Sequence, residues 1–440
     1  MAGISRYLIA VFVIFYTFHC FAVFSYKHEE DRTVFYIFQN VLMVLTHALA
    51  FYVLFVKTGD PSMLIICVVE EIMFFVFIIV FKYLYPRASR LITNNICMLL
   101  CIGFIMLARL SMTRATRQLI TTAISMIIAA IVPYLIQKIY LVRYYYWAAA
   151  IAGLGILLAM LTKGTVTNGS RISLTVLGFT FLPSDLVKLL YIFFIAGMLT
   201  DEDHIDPDTG RVDRPQLIAS GIVALSYVGV LALCRDLGSA LIFFIICLFM
   251  FYAAYRMPVI LIGGTLGMGA ASIVGYKAFA HVRNRVSAWR DPFADVEGNG
   301  YQIAQSLFAI GTGSWFGLGL MGGSPKSIPE VSKDFMFAAI TEEMGALVGL
   351  CVILISLSNF LMFMNISIAI RDPYLKYMSL GLGVNYGFQV ILTIGGVTKF
   401  IPLTGITLPL VSYGGSSIMS TLTAFAIIQG LYIMKDDLRE

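Results

Sequence analysis

Residues His281–Glu343 read HVRNRVSAWRDPFADVEGNGYQIAQSLFAIGTGSWFGLGLMGGSPKSIPEVSKDFMFAAITEE. This is the one long interval that gathers charge, glycine and proline in a chain that is 59% hydrophobic and only 12% charged. Apolar runs long enough to cross a bilayer lie on both sides of it. We therefore predict a polar loop between membrane spans, and we expect the chemistry of the protein there.

The composition of the chain excludes an ordinary soluble domain. Its mean hydropathy is +0.88, and soluble domains contain only about 45–50% apolar residues. Apolar runs of about 18 residues or more recur along the whole length, which is typical of an all-α, polytopic integral membrane protein. We predict about 13 transmembrane helices. They are expected near residues 5–25, 34–56, 62–84, 91–110, 118–138, 143–162, 182–199, 215–233, 237–255, 258–278, 337–363, 374–396 and 406–434.

The cysteines and the net charge limit the classes of ligand that the sequence predicts. The seven cysteines lie in or beside apolar runs, with no CxxC or Cys/His metal spacing, so we predict small core residues rather than disulfides. The net charge of +5 is scattered along the chain and gives no indication of a nucleic-acid partner. No motif for an organic cofactor is present.

The distribution of Lys and Arg predicts the orientation. Among the short loops, those on the same side as the C-terminus carry more Lys and Arg residues, which favours a cytoplasmic C-terminus. An odd number of spans then places the N-terminus outside. The large loop, residues 279–336, is expected to be extracellular.

Three pairs of charged residues lie outside this loop, and two of these pairs combine opposite charges. Asp185 and Lys188 are three residues apart on a predicted helix, so they share a face and can pair. They are either a self-neutralising pair at the interface or part of a polar opening to a substrate cavity. Arg235-Asp236 interrupts an apolar stretch and indicates a tight turn.

Glu70 and Glu71 fall at the middle of the third predicted span. A carboxylate in this position is protonated or has a partner. The pair is consistent with a proton relay, with a buried contact in the helix bundle or with a site that faces another protein.

Within the loop, Glu330 and Asp334 are four residues apart, which on a helix places both on one face. Two such carboxylates can hold a metal ion or act as a general base. Nearby Arg and Lys side chains can neutralise a diphosphate. The glycines between Gly311 and Gly323 fit neither common phosphate-binding motif, so we predict close packing or a bent re-entrant segment. The glycines at 263, 264 and 267 likewise indicate helix packing.

Several motifs, in order and spacing, resemble the SEDS family, the RodA/FtsW/SpoVE peptidoglycan polymerases. The matching segments are Asn168–Leu190, RDLGSALIFF (Arg235–Phe244), RVSAWRDPFAD (Arg285–Asp295), GYQIAQSLFAIGTG (Gly300–Gly313), PEVSKDFMFAAITEEMG (Pro329–Gly345) and IPLTGITLPLVSYGGSS (Ile401–Ser417).

This resemblance implies a ten-span core over residues 91–440, with residues 1–90 adding about three spans. It further implies an inverting glycosyltransferase that polymerises lipid II outside the membrane and releases undecaprenyl diphosphate. Asp334 matches the essential aspartate of the family's loop, as general base or as ligand of a divalent cation, Mg²⁺ or Mn²⁺. Lys188 matches the family lysine, and Asp185 stands where the family usually has Glu. The residues expected to bind substrate are Asp185, Lys188, Asp236, Arg285, Asp291, Lys326, Glu330 and Ser416.

The same resemblance implies a location in the bacterial cytoplasmic membrane and a class B penicillin-binding transpeptidase as partner. Two other functions remain open at this point. Intramembrane charges suit a flippase or transporter of lipid-linked precursors, and an inactive scaffold could recruit a transpeptidase. The sequence does not separate roles in elongation, division or sporulation.

Overall fold

The computed structural model describes residues 2–26, 29–138, 144–167, 170–176, 179–201, 205–206, 211–212 and 214–434. Asn168 and Gly169 of the motif at Asn168–Leu190 lie outside these residues. The helices are α1 Ala2–Ala22, α2 Glu29–Thr58, α3 Ser62–Leu84, α4 Arg90–Leu110, α5 Met112–Lys138, α6 Tyr146–Lys163, α7 Pro183–Met198, α8 Arg214–Leu233, α9 Leu237–Tyr255, α10 Pro258–Ala278, α11 Ala280–Arg290, α12 Tyr301–Gly313, α13 Met336–Met344, α14 Ala346–Ala369, α15 Pro373–Val397 and α16 Gly415–Met434. The strands are β1 Thr165–Thr167, β2 Ser170–Val176, β3 Phe179–Phe181, β4 Ile205–Asp206 and β5 Arg211–Val212.

Twelve of the described helices are long and apolar enough to cross a membrane. The other four are α7, α11, α12 and α13. The predicted span at 182–199 corresponds to α7, which has 16 residues and is shorter than the roughly 20 residues that a full crossing needs. The all-helical, multi-pass fold is confirmed, and α7 accounts for the difference from 13 spans.

The predicted span at 337–363 is wrong in its boundaries. Helix α13 ends at Met344 and α14 begins at Ala346. Gly345 between them has a φ of +96°, a conformation that strongly favours glycine, so the apolar run is split into two helices. Helix α7 begins at Pro183, and its cap position is Leu182.

The large loop is itself folded. It contains α11, α12 and a 3₁₀ turn at Pro325–Ser327. The glycines at 263, 264 and 267 pack less than expected: a side chain at Gly264 would contact Leu248, whereas Gly263 and Gly267 face open space. No residue of α10 is buried, so the packing prediction is wrong for two of these three glycines.

The first compact unit comprises Met1–Ile127, Arg283–Leu361 and Val390–Gly414. Its central element is α4, which packs against α2, α3 and α13 and is buried along nearly its whole length. Asn95 of α4 joins two neighbours, because it accepts a hydrogen bond from Tyr16 Oη at 3.1 Å and donates to Ser358 Oγ at 2.8 Å and Asn359 Oδ1 at 3.0 Å. This polar contact fixes α1 and α14 on α4.

The second compact unit comprises Ile128–Val282, Met362–Gln389 and Gly415–Glu440. In it α7 packs against α6, α8, α9 and α16. Strands β1, β2 and β3 form an antiparallel sheet in which Leu174 is paired with Phe181. The sheet is tied to the α8–α9 turn because the Arg171 N–H donates to the Cys234 carbonyl at 2.9 Å.

The Asn95 contact gives the first prediction. Replacing Asn95 with Leu leaves the buried partners Tyr16, Ser358 and Asn359 without their hydrogen bonds, so we expect a loss of about 1–3 kcal/mol in stability. A lower thermal unfolding temperature of the purified protein in detergent would show it. The control is Thr116→Ala, since the exposed Thr116 hydroxyl bonds only to Met112 O of its own helix. Equal unfolding temperatures for the two variants would contradict the role of Asn95.

Candidate active site

The glycine-rich part of the loop packs directly on α13. A side-chain carbon at Gly313 would lie 2.0 Å from Thr341 O, and one at Gly317 would lie 2.3 Å from Glu343 O. The N–H groups of Leu318 and Gly319 donate to the carbonyls of Glu342 and Glu343, both at 2.9 Å. The prediction of close packing is therefore confirmed for Gly313 and Gly317, whereas Gly311 faces open space.

A buried ion pair holds the same segment in place. Glu343 is fully buried, and its Oε1 lies 3.0 Å from Arg109 Nη2 of α4. Its carboxylate also accepts the backbone N–H groups of Met321 at 3.2 Å and Gly323 at 3.3 Å. Arg109 Nη2 in turn donates to Gly323 O at 3.2 Å. One carboxylate and one guanidinium thus satisfy several backbone groups of the loop.

Further contacts fix the segment that leads to Asp334. Glu342 Oε1 accepts the Ser324 N–H at 2.8 Å. The buried Ser332 accepts a hydrogen bond from Arg114 Nη1 at 2.5 Å through its hydroxyl, and one from the Tyr413 N–H at 2.7 Å through its carbonyl. Ser332 and the fully buried Phe335 flank Asp334 closely, so the backbone around Asp334 is held from both sides.

Glu330 and Asp334 do not lie on a helix, contrary to the prediction. The backbone forms a single turn, in which the N–H of Asp334 donates to Glu330 O at 3.2 Å. Glu330 has a φ of +54°, which a helix does not allow. Its exposed carboxylate pairs with Lys333 Nζ at 2.9 Å. Glu330 is therefore a charged neighbour of Asp334, not a second member of a carboxylate pair on one face.

The surroundings of Asp334 make its carboxyl group weakly acidic. Burial is the largest influence and the negative charge of Glu330 adds to it, whereas Lys333 and Arg285 act in the opposite direction. The net effect raises the pKa of Asp334 from 3.8 to about 6. Such a carboxylate is ionised at neutral pH and basic enough to accept a proton.

Arg285 of α11 lies close to this carboxylate. A side-chain carbon at Gly405 would lie 3.5 Å from Arg285 Nη2 and 3.7 Å from Asp334 Oδ2. Arg285 is oriented by a hydrogen bond from Nη1 to Thr404 O at 3.1 Å. The structure thus brings together a half-buried carboxylate and a guanidinium group, both next to Gly405.

The second unit contains another set of the predicted residues. Lys188 Nζ is buried and lies 2.9 Å from Asp185 Oδ1, which confirms the predicted pairing. It also lies 3.5 Å from Gln389 Oε1. Ser416 Oγ accepts the Leu182 N–H at 3.2 Å, immediately before α7. Three helices of this unit, α7, α15 and α16, therefore have polar groups around the start of α7.

Asp236 lies near this pair. It caps α9 by accepting the Ser239 N–H at 3.1 Å, and Arg235 before it has a φ of +62°, as the predicted tight turn requires. Burial raises the pKa of Asp236 above its usual value; the charge of Asp185 adds to this effect and that of Lys188 opposes it. The three charged groups are thus close enough to influence one another.

Two predicted substrate-binding residues are not brought to Asp334. Asp291 is exposed and accepts the Phe293 N–H of its own turn at 3.0 Å. Lys326 is exposed in the 3₁₀ turn, and no described contact joins it to Asp334. Sequence reasoning also missed Arg109 and Arg114, which lie more than 200 residues before their partners in the loop. Arg109 lies at the end of α4 and Arg114 in the first turn of α5, and these positions gave no local signal of this role.

The chain was compared with known proteins. The FtsW/RodA/SpoVE family of cell cycle proteins matches residues 89–435. Peptidoglycan glycosyltransferase RodA of Mycobacterium tuberculosis is 35% identical over 366 residues, covering 78% of this chain and 77% of that protein. Stage V sporulation protein E of Bacillus subtilis is 35% identical over 272 residues, covering 60% of this chain and 72% of the relative.

Two solved structures share the fold. One comes from a study of structural coordination of polymerization and crosslinking by a peptidoglycan synthase complex, with a TM-score of 0.65 and 22% identity over 80% of this chain and 99% of that chain. The other is the crystal structure of the rod shape determining protein RodA of Thermus thermophilus, with a TM-score of 0.57 and 20% identity over 80% of this chain and 98% of that chain.

The buried ion pair gives the second prediction. Replacing Arg109 with Met leaves the Glu343 carboxylate buried without its cation, which costs about 3–5 kcal/mol in comparable pairs. We expect a markedly lower unfolding temperature in detergent for this variant. Adding Glu343→Gln in the same chain removes the unpaired charge and is expected to recover part of the loss. A double variant no more stable than Arg109→Met would contradict this coupling.

Proposed function

The chain belongs to the FtsW/RodA/SpoVE family of cell cycle proteins, and we propose that it is a peptidoglycan glycosyltransferase that polymerises lipid II into glycan strands. Relatives of 31–35% identity that cover more than three quarters of the chain carry the name peptidoglycan glycosyltransferase. The observation that carries the proposal within the molecule is the half-buried carboxylate of Asp334 beside Arg285.

The proposed reaction needs one base and one stabilised leaving group. The 4-hydroxyl of the acceptor GlcNAc attacks the anomeric carbon of the donor, and Asp334 takes the proton of that hydroxyl. The bond between the anomeric carbon and the diphosphate oxygen breaks with inversion, and undecaprenyl diphosphate leaves. A pKa of about 6 suits this role, because a base is most effective when its pKa is near the working pH.

The leaving diphosphate requires positive charge. Arg285 supplies a guanidinium group near Asp334, and guanidinium forms paired hydrogen bonds with phosphate oxygens. Because Thr404 O already orients this side chain, little rearrangement is needed when the diphosphate binds. In the second unit we assign substrate contact to Lys188, Asp185 and Asp236, the charged groups around the start of α7.

A divalent cation, Mg²⁺ or Mn²⁺, fits Asp334 if the diphosphate of the bound substrate supplies further ligands. The described residues around Asp334 offer few protein ligands, since the Glu330 carboxylate is engaged by Lys333. Mg²⁺ is commonly held by one or two carboxylates together with substrate phosphates. In place of the role as base, Asp334 would then hold the ion together with the diphosphate of the bound substrate, and the ion would neutralise charge on the leaving group.

The alternative functions receive less support. For a flippase, the charges inside the spans would form a transport pathway. The structure gives each of them a local partner instead: Lys188 pairs with Asp185, and Glu70 and Glu71 contact His47. An inactive scaffold would have no physical need for a half-buried carboxylate such as Asp334 that can act as a base.

The protein is a multi-pass membrane protein, and we place it in the bacterial cytoplasmic membrane. The proposed topology has a cytoplasmic C-terminus and an extracellular active site, which is where polymerised glycan is needed. The N-terminus is extracellular in this topology if the short helix α7 also crosses the membrane, which gives thirteen spans. A class B penicillin-binding transpeptidase is the proposed partner, because a synthase that couples polymerization to crosslinking has the fold of this chain.

The role of Asp334 gives the third prediction. We expect wild-type protein in detergent to convert lipid II into glycan polymer, and we expect Asp334→Ala and Asp334→Asn to lose this activity by a factor of about 100 or more, because the base is removed. The measurement is the polymer ladder on a gel after a fixed reaction time. Detergent leaves no membrane to flip across, so polymer formation excludes a pure flippase.

The matched control is Asp60→Asn. Asp60 is an exposed carboxylate between α2 and α3 that accepts the Ser62 N–H at 2.9 Å, a bond that Asn also makes. This variant is expected to retain wild-type activity. Polymer from Asp334→Asn at the wild-type rate would overturn the assignment of Asp334, and a wild-type protein without polymerase activity, alone or with its transpeptidase, would overturn the function.

The raised pKa of Asp334 gives the fourth prediction. Only the ionised carboxylate can accept the proton, so the initial rate should be steady above pH 7 and fall as the pH drops through about 6. Glu330→Gln removes a neighbouring negative charge and releases Lys333, and both changes lower the pKa of Asp334. The acid limb of the pH–rate profile should therefore move to lower pH. An unchanged or higher midpoint in Glu330→Gln would show that another group controls this limb.

A further inference from the structure

A buried polar cluster lies between α2 and α3, in the part of the chain that precedes the family match. His47 of α2 is 1% exposed. Its Nε2 lies 2.9 Å from Glu70 Oε2, and its Nδ1 lies 3.6 Å from Cys67 Sγ and 3.4 Å from Glu71 Oε1. Both nitrogens of one imidazole therefore face groups that can bind a metal or accept a proton.

We propose that His47, Cys67 and Glu71 bind one Zn²⁺ ion. Their ligand atoms all lie within 4.8 Å of one another. In a tetrahedral zinc site with bond lengths of about 2.0–2.3 Å, a nitrogen and a sulfur ligand are separated by about 3.6 Å, and a nitrogen and an oxygen ligand by about 3.4 Å. The two distances from His47 Nδ1 have these values without any rearrangement.

The helix spacing explains how the ligands converge. Cys67 and Glu71 are four residues apart on α3 and so share one face, and His47 approaches that face from α2. The sequence predicts Cys67 as a buried core residue, and the structure shows that it is buried and also lies next to His47. Cys67 and His47 are 20 residues apart on different helices, a spacing that no short motif describes.

Glu70 supplies the outer contact that zinc sites commonly have. A metal-bound histidine usually donates its other ring N–H to a carboxylate, which fixes the ring and the tautomer. Glu70 is fully buried and its Oε2 lies at hydrogen-bond distance from Nε2. With Zn²⁺ on Nδ1, this bond makes Glu70 a positioning residue and not a ligand.

Unsatisfied oxygens are the second observation that points to a ligand. Glu71 Oε1 and Glu70 Oε1 are both buried and make no hydrogen bond. A buried oxygen without a hydrogen bond is costly in an apolar environment. A metal ion at Nδ1 would engage Glu71 Oε1 directly.

The donor set and its charge favour zinc over the harder cations. A thiolate and an imidazole suit Zn²⁺, whereas Mg²⁺ prefers oxygen ligands alone. Zn²⁺ with one thiolate and one carboxylate has no net charge, which lowers the cost of placing charged groups at the middle of apolar helices. Three protein ligands leave the fourth position for a water molecule. The ion would cross-link α2 to α3, both of which pack on α4.

The experiment measures metal in the full-length protein in detergent. Loosely bound metal is first removed with a chelator, and the zinc that remains is determined by elemental mass spectrometry. A second sample, stripped of its bound zinc, is titrated with Co²⁺ to detect thiolate-to-cobalt absorption. We expect about one zinc per chain and a cobalt–thiolate band in the wild type. Cys67→Ser and Glu71→Gln should lose both signals. Glu70→Gln should weaken zinc binding by roughly 10- to 100-fold while keeping the thiolate band.

The matched control is Cys351→Ser, which removes a buried cysteine of α14 outside the cluster and should keep both signals. Zinc retained by Cys67→Ser at the wild-type level would overturn the proposal. So would wild-type protein that shows no cobalt–thiolate band, whether or not the Cys67→Ser variant folds. None of these readouts depends on polymerase activity, so this proposal and the proposed function fail independently.

Discussion

The polar loop of the first unit depends on burying carboxylates without leaving them unpaired. An ionised group removed from water is tolerated only with a partner charge and with hydrogen bonds to its oxygens. Glu343 has both, since Arg109 supplies the charge and the N–H groups of Met321 and Gly323 supply the bonds. These two N–H groups of the loop are thereby satisfied by a side chain from helix α13. This arrangement lets a charged, glycine-rich segment fold against apolar helices.

The break between α13 and α14 is part of the same arrangement. The last carbonyls of a helix have no partner within it. At the end of α13 the carbonyls of Glu342 and Glu343 accept the N–H groups of Leu318 and Gly319, so the loop caps the helix. Gly345 allows the chain to turn at this point. A continuous span through 337–363 would have used those carbonyls internally and left the loop without its anchors.

Hydropathy predicted most of the fold because long apolar runs have one common solution in a membrane. It failed where a local conformation overrides the apolar pattern, as at Gly345. The residues of the candidate site were predicted through motifs. In the structure Arg285 lies near Asp334, and Lys188 pairs with Asp185. The helical placement of Glu330 was wrong because spacing alone does not reveal a residue with positive φ.

The contacts that position the site could not be read from the sequence. Arg109 and Glu343 are separated by 234 residues, and His47 and Cys67 lie on different helices. Spacing rules apply within one helix, so partners that meet only after helices pack produce no periodic signal. A charged residue in an apolar span does predict that some partner exists, and the structure supplies its identity.

The carboxylates of this chain therefore take different roles according to their partners. Glu343 is committed to Arg109 and backbone N–H groups, and Asp185 is neutralised by Lys188. Asp334 differs because burial and Glu330 outweigh the influence of the nearby cations, so its proton affinity is increased. A carboxylate held by a close ion pair is a poor base, since the cation stabilises its charged form. Of these three carboxylates, Asp334 therefore best meets the requirement for the base of the proposed reaction, because its neighbours fix its backbone and its raised pKa favours proton uptake.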